Sequence, residues 1–136
     1  MTYTTRTEIK TTDSELAVIT RAKDICSYIF VITQKSPKHF RFSLVTRLHN
    51  IALDIIEDLY LANENYPVGE HRAEIALKRR YWQDEARTKL RLLAYISYLS
   101  SEQGCILQKQ YETMAKMIIA CEKLLAGWKK STMTTK

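Results

Sequence analysis

The residues with the clearest capacity for chemistry are basic and lie close together in the second half of the chain. They are, in order, Lys78, Arg79, Arg80, Arg87, Lys89 and Arg91. A helix would place Arg80, Arg87 and Arg91 on one face, because their spacings are close to whole helical turns. Arginine binds phosphate through a planar fork, and Tyr81 beside them could stack on an unpaired base. We predict phosphate contacts here; the simpler alternative is a solvated face paired with Asp84, Glu85 or nearby acidic residues.

A second pair of basic residues, Lys38 and Arg41, lies next to a predicted loop and joins the set of expected phosphate contacts. An acidic patch follows, made of Asp54, Glu57 and Asp58. A di-iron helical bundle needs Glu-x-x-His pairs, and none of the three histidines has a glutamate three residues before it. We therefore predict that the acidic patch contacts basic residues of a neighbouring helix, and we predict no metal and no cofactor.

Enzyme signatures are missing from the sequence. It contains no His-Glu-x-x-His, Gly-x-Ser-x-Gly or Walker pattern. Some all-α ribonucleases use an arginine and a histidine at a set spacing, and neither Arg41 nor Arg47 has that spacing to His49. We predict that His49 is a polar residue at a helix edge, that there is no catalytic residue, and that the protein is not an enzyme.

The three cysteines, Cys26, Cys105 and Cys121, are odd in number and widely spaced, so we predict reduced cysteines that serve in packing. The N-terminus lacks the apolar segment of a signal peptide. No apolar run approaches the roughly 18 residues that a membrane span requires. These features predict a cytoplasmic protein without a membrane partner.

The elements that must position these residues are helices. Only 3 glycines and 2 prolines occur in 136 residues, which excludes an all-β fold, a Rossmann domain and a P-loop enzyme. Apolar residues at helical spacing predict four helices, over about 13–35, 41–63, 70–101 and 107–128. Because short connections favour antiparallel neighbours, we predict an all-α, antiparallel, up-down-up-down four-helix bundle over residues 13–130. Flexible segments are expected at 1–12 and 131–136.

The net charge of +6 is unevenly distributed along the chain. Residues 70–101 contain seven basic and four acidic side chains, and residues 102–136 contain six basic and three acidic ones. The predicted second helix is acidic instead. The positive net charge indicates a polyanionic partner.

Two stretches of sequence resemble a known family. The first is Ser36-Pro37-Lys38-His39-Phe40-Arg41-Phe42-Ser43-Leu44, and the second is Leu124-Leu125-Ala126-Gly127-Trp128-Lys129-Lys130-Ser131. With the intervening Leu90-Arg91-Leu92-Leu93-Ala94, they are similar to Avd, the accessory variability determinant of diversity-generating retroelements. Avd is itself similar to the four-helix-bundle proteins encoded in ribosomal RNA intervening sequences.

The resemblance implies a homopentameric barrel of four-helix protomers with a basic surface. It also implies a partnership with the retroelement's reverse transcriptase and binding of template RNA or DNA, in support of mutagenic cDNA synthesis. In that family Avd is not the catalyst. The alternative is a purely structural scaffold that joins proteins without binding nucleic acid, and a ribonuclease that depends on His49 is the third hypothesis.

Overall fold

The structure, a computed structural model, describes residues 16–133 as four long helices with short connections. In chain order they are α1, Ala17–Ile32; α2, Thr46–Glu64; α3, Arg72–Glu102; and α4, Gln108–Met133. No strand occurs between residues 16 and 133, so the described part of the chain is all-helical, as predicted. The predicted N-terminal arm, residues 1–12, lies outside the described residues.

The four helices pack around one hydrophobic core. Helix α1 contacts α2 and α4, and α3 also contacts α2 and α4. Each helix contributes an apolar stripe at helical spacing, and the stripes can leave water only by facing one another. The side chains of Ile29, Leu48, Leu90 and Met114, one from each helix, are completely buried. The predicted packing of four helices is therefore confirmed.

The connection between α1 and α2 is built around Pro37. A 3₁₀ turn, Thr33–Lys35, ends the first helix before the proline, as the sequence predicts. A second 3₁₀ turn and a π-helical turn, Arg41–Val45, then lead directly into α2. The Ser36 hydroxyl donates a 2.7 Å hydrogen bond to the carbonyl oxygen of Cys105, which fastens this connection to the turn between α3 and α4.

The turn between α3 and α4 depends on Gly104. Its φ of +82° lies in the left-handed region, which residues with a Cβ rarely adopt. Just after it, the Cys105 amide donates back to the carbonyl oxygen of Ser100 at 2.8 Å. The break that the sequence predicts at Gly104 is therefore confirmed, and it places the start of α4 next to the end of α3.

Helix α4 extends to Met133, past the predicted end of the bundle at residue 130. Thr132 is buried, and its hydroxyl donates to the carbonyl oxygen of Trp128. The same hydroxyl accepts a 3.0 Å hydrogen bond from the Gln83 amide on α3. Residues 131–133 are thus helical and held against α3, which corrects the predicted flexible tail there; residues 134–136 lie outside the described part.

Candidate nucleic-acid interface

The eight basic residues predicted to contact phosphate lie in different environments. Because each helical residue turns the chain by about 100°, neighbours in the sequence point to different sides of α3. Arg79 is buried and Lys89 is held in an ion pair. The remaining six are exposed or half-exposed: Lys38, Arg41, Lys78, Arg80, Arg87 and Arg91.

Arg79 is a structural residue, which corrects its prediction as a phosphate contact. Only 7% of its surface is exposed. Its Nε donates to the carbonyl oxygen of Ala62 at 2.9 Å, and its Nη2 donates to that of Asn63 at 3.1 Å. Its guanidinium carbon lies 5.2 Å from the ring centre of Trp128 and 5.6 Å from that of Tyr66. A phosphate cannot reach a guanidinium enclosed in this way.

The contacts of Arg79 explain why it is buried. Helix α2 has no basic residue in its last turn, and the final carbonyls of a helix need donors and favour positive charge. Asn65 supplies one donor, through a 2.8 Å bond from its side-chain amide to the carbonyl oxygen of Leu61. Arg79 supplies the next two donors together with the charge, so it caps α2 from the neighbouring helix.

Lys89 is also engaged, which corrects its prediction as a free phosphate contact. Its Nζ lies 2.6 Å from a carboxylate oxygen of Asp58 and 3.7 Å from one of Glu85. The contact between the acidic patch and a basic residue of a neighbouring helix, predicted from the sequence, is confirmed at Asp58. Burial raises the pKa of Asp58, and Lys89 opposes this effect. Burial would lower the pKa of Lys89, but its hydrogen bond to Asp58 and the nearby carboxylates raise it overall.

Three arginines form a continuous row along α3, and we call Arg80, Arg87 and Arg91 the arginine row. The row runs along the flank next to α4, since Asp84 on this flank pairs with Lys129 and Gln83 bonds to Thr132. Arg87 and Arg91 are exposed and Arg80 is half-exposed. Within residues 16–133, none of the three forms an ion pair with a carboxylate.

The other three predicted contacts lie away from the arginine row. Lys78 precedes Lys89 by about three helical turns and therefore lies on the flank of α3 that faces α2. Lys38 and Arg41 are exposed in the connection between α1 and α2. The structure thus does not bring all the predicted residues into one patch; it brings together only the arginine row.

A set of basic residues that the sequence analysis did not single out lies on α4. It is an exposed line with one lysine every seven residues, which we call the lysine row: Lys109, Lys116, Lys123 and Lys130. A seven-residue interval is nearly two helical turns, so the four side chains share one face. In the described part of the chain, none of them is in an ion pair. The interval is visible in the sequence, but only the burial of the opposite face of α4 identifies this face as the outer one.

His49 is a half-buried residue at the edge of α2, as predicted. Its ring stacks on Phe30 with centroids 3.9 Å apart, and its Nε2 lies 2.8 Å from the Thr33 hydroxyl oxygen. Because that hydroxyl donates to the carbonyl oxygen of Ile29, His49 must be the donor to Thr33. Burial lowers the pKa of His49. A ring held neutral against an aromatic neighbour is typical of packing.

Other kinds of site find little support in the described residues. Between residues 16 and 133, no three His, Cys, Asp or Glu side chains are grouped so that they could hold a metal ion. Cys26, Cys105 and Cys121 are free and buried, as predicted, and burial raises the pKa of Cys121 to about 12. None of the four helices combines the length and the hydropathy that a membrane span requires.

The fold and its surface define an all-helical four-helix protein in which the two rows of exposed or half-exposed basic side chains without an ion pair within residues 16–133 lie on α3 and α4. No protein-family model matches the sequence, and no curated protein matches it. The case for a function consequently depends on the charged surfaces described above and on the motifs that resemble Avd.

Proposed function

We propose that the protein is a non-catalytic, nucleic-acid-binding accessory subunit of a diversity-generating retroelement, which also binds the reverse transcriptase. The observation that carries the proposal is the arginine row, whose guanidinium groups have no carboxylate partners within residues 16–133. Groups left free in a row are available to successive phosphates of a polymer.

The lysine row supplies a second set of basic side chains, on the outer face of α4. Lysine contacts phosphate as a point charge, and each neutralised phosphate releases counterions from the nucleic acid. Acidic side chains also lie near these rows: Asp84, on the same flank of α3, pairs with Lys129, Asp58 on α2 pairs with Lys89, and Glu112 is exposed on α4. The proposal therefore assigns nucleic acid to α3 and α4, and it leaves α1 and α2 for protein partners.

The direction of the helices, the oligomeric state and the location in the cell are part of the same proposal. We infer that successive helices run antiparallel, in up-down-up-down order, and the contacts support this direction. Asp58 and the later Ala62 of α2 contact Lys89 and the earlier Arg79 of α3. Across α3 and α4, the contacts are Gln83 with Thr132 and Tyr98 with Tyr111. The homopentamer and the cytoplasmic location are also proposed, and light scattering on the purified protein tests the former.

Neutralising the arginine row should weaken binding of RNA and single-stranded DNA in a salt-dependent way. We expect the triple variant Arg80→Gln, Arg87→Gln, Arg91→Gln to reduce the slope of log affinity against log salt by about 2, because each single-strand phosphate contact contributes about 0.7. Fluorescence anisotropy with a labelled oligonucleotide, titrated with salt, measures this slope.

A matched triple variant separates a specific surface from net charge. Arg21→Gln, Lys35→Gln and Arg47→Gln remove the same charge from exposed positions on α1, on α2 and between them. We expect this control to retain most of the wild-type slope. Equal losses in both variants would show that net charge alone drives binding. A wild-type protein that retains no nucleic acid even at low salt would favour the purely structural scaffold.

Binding to the reverse transcriptase needs an experiment of its own. The reverse transcriptase of the proposed retroelement is co-expressed with the tagged protein, and the complex is purified after nuclease treatment. We expect the polymerase to co-purify with the wild type and with the arginine-row variant, because the proposal leaves α1 and α2 for protein contacts. Loss of the polymerase from both would contradict the assigned partnership.

A further inference from the structure

We propose that the outer surface of α3 binds unpaired nucleic acid by stacking bases on tyrosine rings while the arginine row holds the phosphates. This inference rests on the proposed function and adds the substrate class to it, a single strand instead of a duplex. It depends on a feature that net charge does not explain, the exposure of aromatic rings beside the arginines. Three tyrosines form this set: Tyr81, Tyr95 and Tyr98.

The tyrosines are placed at both ends of the arginine row. Tyr95 lies one helical turn beyond Arg91. Tyr81 directly follows Arg80, so its side chain points about 100° around α3 from the arginine row and lies at the edge of this surface. Tyr98 continues the row itself, with the seven-residue spacing that also separates Arg80 from Arg87. At 1.5 Å per residue the surface from Arg80 to Tyr98 is about 27 Å long. A strand lying along it would meet rings and guanidinium groups in turn.

The rings are both exposed and restrained. Tyr81 and Tyr95 are each 57% exposed, and Tyr98 is 45% exposed. The ring of Tyr81 packs against Trp82 at 84° with centroids 4.9 Å apart, and the ring of Tyr98 packs against Tyr111 of α4 at 69° with centroids 5.7 Å apart. In such T-shaped pairs each ring keeps at least one face out of the contact. A supported ring loses less freedom when a base stacks on it.

A polyanion with exposed bases fits this surface better than a protein or a duplex does. A protein partner would need carboxylates opposite all three members of the arginine row. In a duplex the faces of the bases are stacked on one another, so the tyrosines would find only phosphates and sugars. An unpaired strand offers phosphate to the arginines and an open π-face to each ring, which is the combination that single-strand-binding surfaces use.

The test compares strands that have the same phosphates and different bases. Affinity is measured by anisotropy for an unstructured oligonucleotide, for its perfect duplex and for an abasic strand of equal length, all at one salt concentration. We expect the wild type to prefer the base-bearing single strand. The double variant Tyr81→Leu, Tyr95→Leu should lose about 5-fold or more per tyrosine on that strand and little on the abasic strand.

Two further variants test whether the preference for base-bearing strands depends on the aromatic rings and on their place on α3. Tyr81→Phe with Tyr95→Phe keeps both rings and should retain the preference. Tyr60→Leu removes an exposed tyrosine from α2, away from the arginine row, and should also retain it. Equal wild-type affinity for base-bearing and abasic strands, or no effect of the leucine changes, would overturn this inference and leave the proposed function intact. Failure of the wild type to bind any strand would overturn both.

Discussion

Replacing Arg79 with methionine is expected to destabilise the protein by about 3 kcal/mol. Methionine retains the hydrophobic stem, so the loss comes from two charge-assisted hydrogen bonds, each worth about 1.5–3 kcal/mol. The carbonyl oxygens of Ala62 and Asn63 would lose these donors at the end of α2. Urea unfolding followed by circular dichroism measures the change in the free energy of unfolding.

Two variants serve as controls for this experiment. Arg87→Met makes the same chemical change at an exposed position and should alter stability by about 0.5 kcal/mol or less. Arg79→Lys keeps the charge, but an ammonium group lacks the planar fork that reaches two carbonyl oxygens. We therefore expect Arg79→Lys to be more stable than Arg79→Met and less stable than the wild type. Equal stability of the Arg79→Met and Arg87→Met proteins would contradict the capping role.

The second large loss of stability is expected when the ion pair between α2 and α3 is broken. Lys89→Met removes the partner of Asp58, whose side chain is only 5% exposed, and leaves a buried carboxylate unpaired. Removing one member of a fully buried pair costs about 3–5 kcal/mol, and we expect about 2 kcal/mol because Lys89 is itself partly exposed. Urea unfolding at neutral pH measures this loss.

The pH dependence of this variant has a definite sign. Without Lys89, burial raises the pKa of Asp58 further above its value in the unfolded chain. Stability from a raised carboxyl pKa is fully present below the unfolded pKa and is lost as pH rises through the folded one. The deficit relative to the wild type should therefore shrink between pH 7 and about pH 4.

Lys78→Met is the matched control for the ion pair. It makes the same change on the same flank of α3, at an exposed lysine that has no ion-pair partner between residues 16 and 133. We expect its stability to follow the wild type at both pH values. A deficit in Lys89→Met that stays constant with pH would show that lost packing, and not the unpaired carboxylate, causes the instability.

Much of the fold could be predicted from the sequence because the spacing of apolar residues indicates which face of each helix is buried. Apolar residues at helical spacing on α2, such as Leu48, Ile51 and Leu59, are buried. Pro37 and Gly104 lie in the connections after α1 and after α3, where residues that interrupt a helix are expected. The end of α4 was missed because polar residues hold it: Thr132 is bound by Gln83, and a hydrogen bond between distant polar side chains leaves no periodic signal.

The candidate site was predicted less well, for a related reason. Three consecutive basic residues form one cluster in the sequence, but a helix points their side chains to three different sides: Lys78, Arg79 and Arg80. Which side is free depends on where α2 ends and on which carbonyls need donors, and this is a tertiary property. The spacing of the arginine row was the reliable part of the signal, since three residues at near-integral turns must share a face.

Arg79 also has a consequence for local motion. Arg79 belongs to α3, and its side chain caps the end of α2 and lies against Trp128 near the end of α4. One side chain therefore connects three helices. None of them can fray without disturbing the others, and this end should open as a single cooperative unit. Amide hydrogen exchange at the last turn of α2 and along the final turns of α4 should then proceed at similar rates, well below those typical of helix termini.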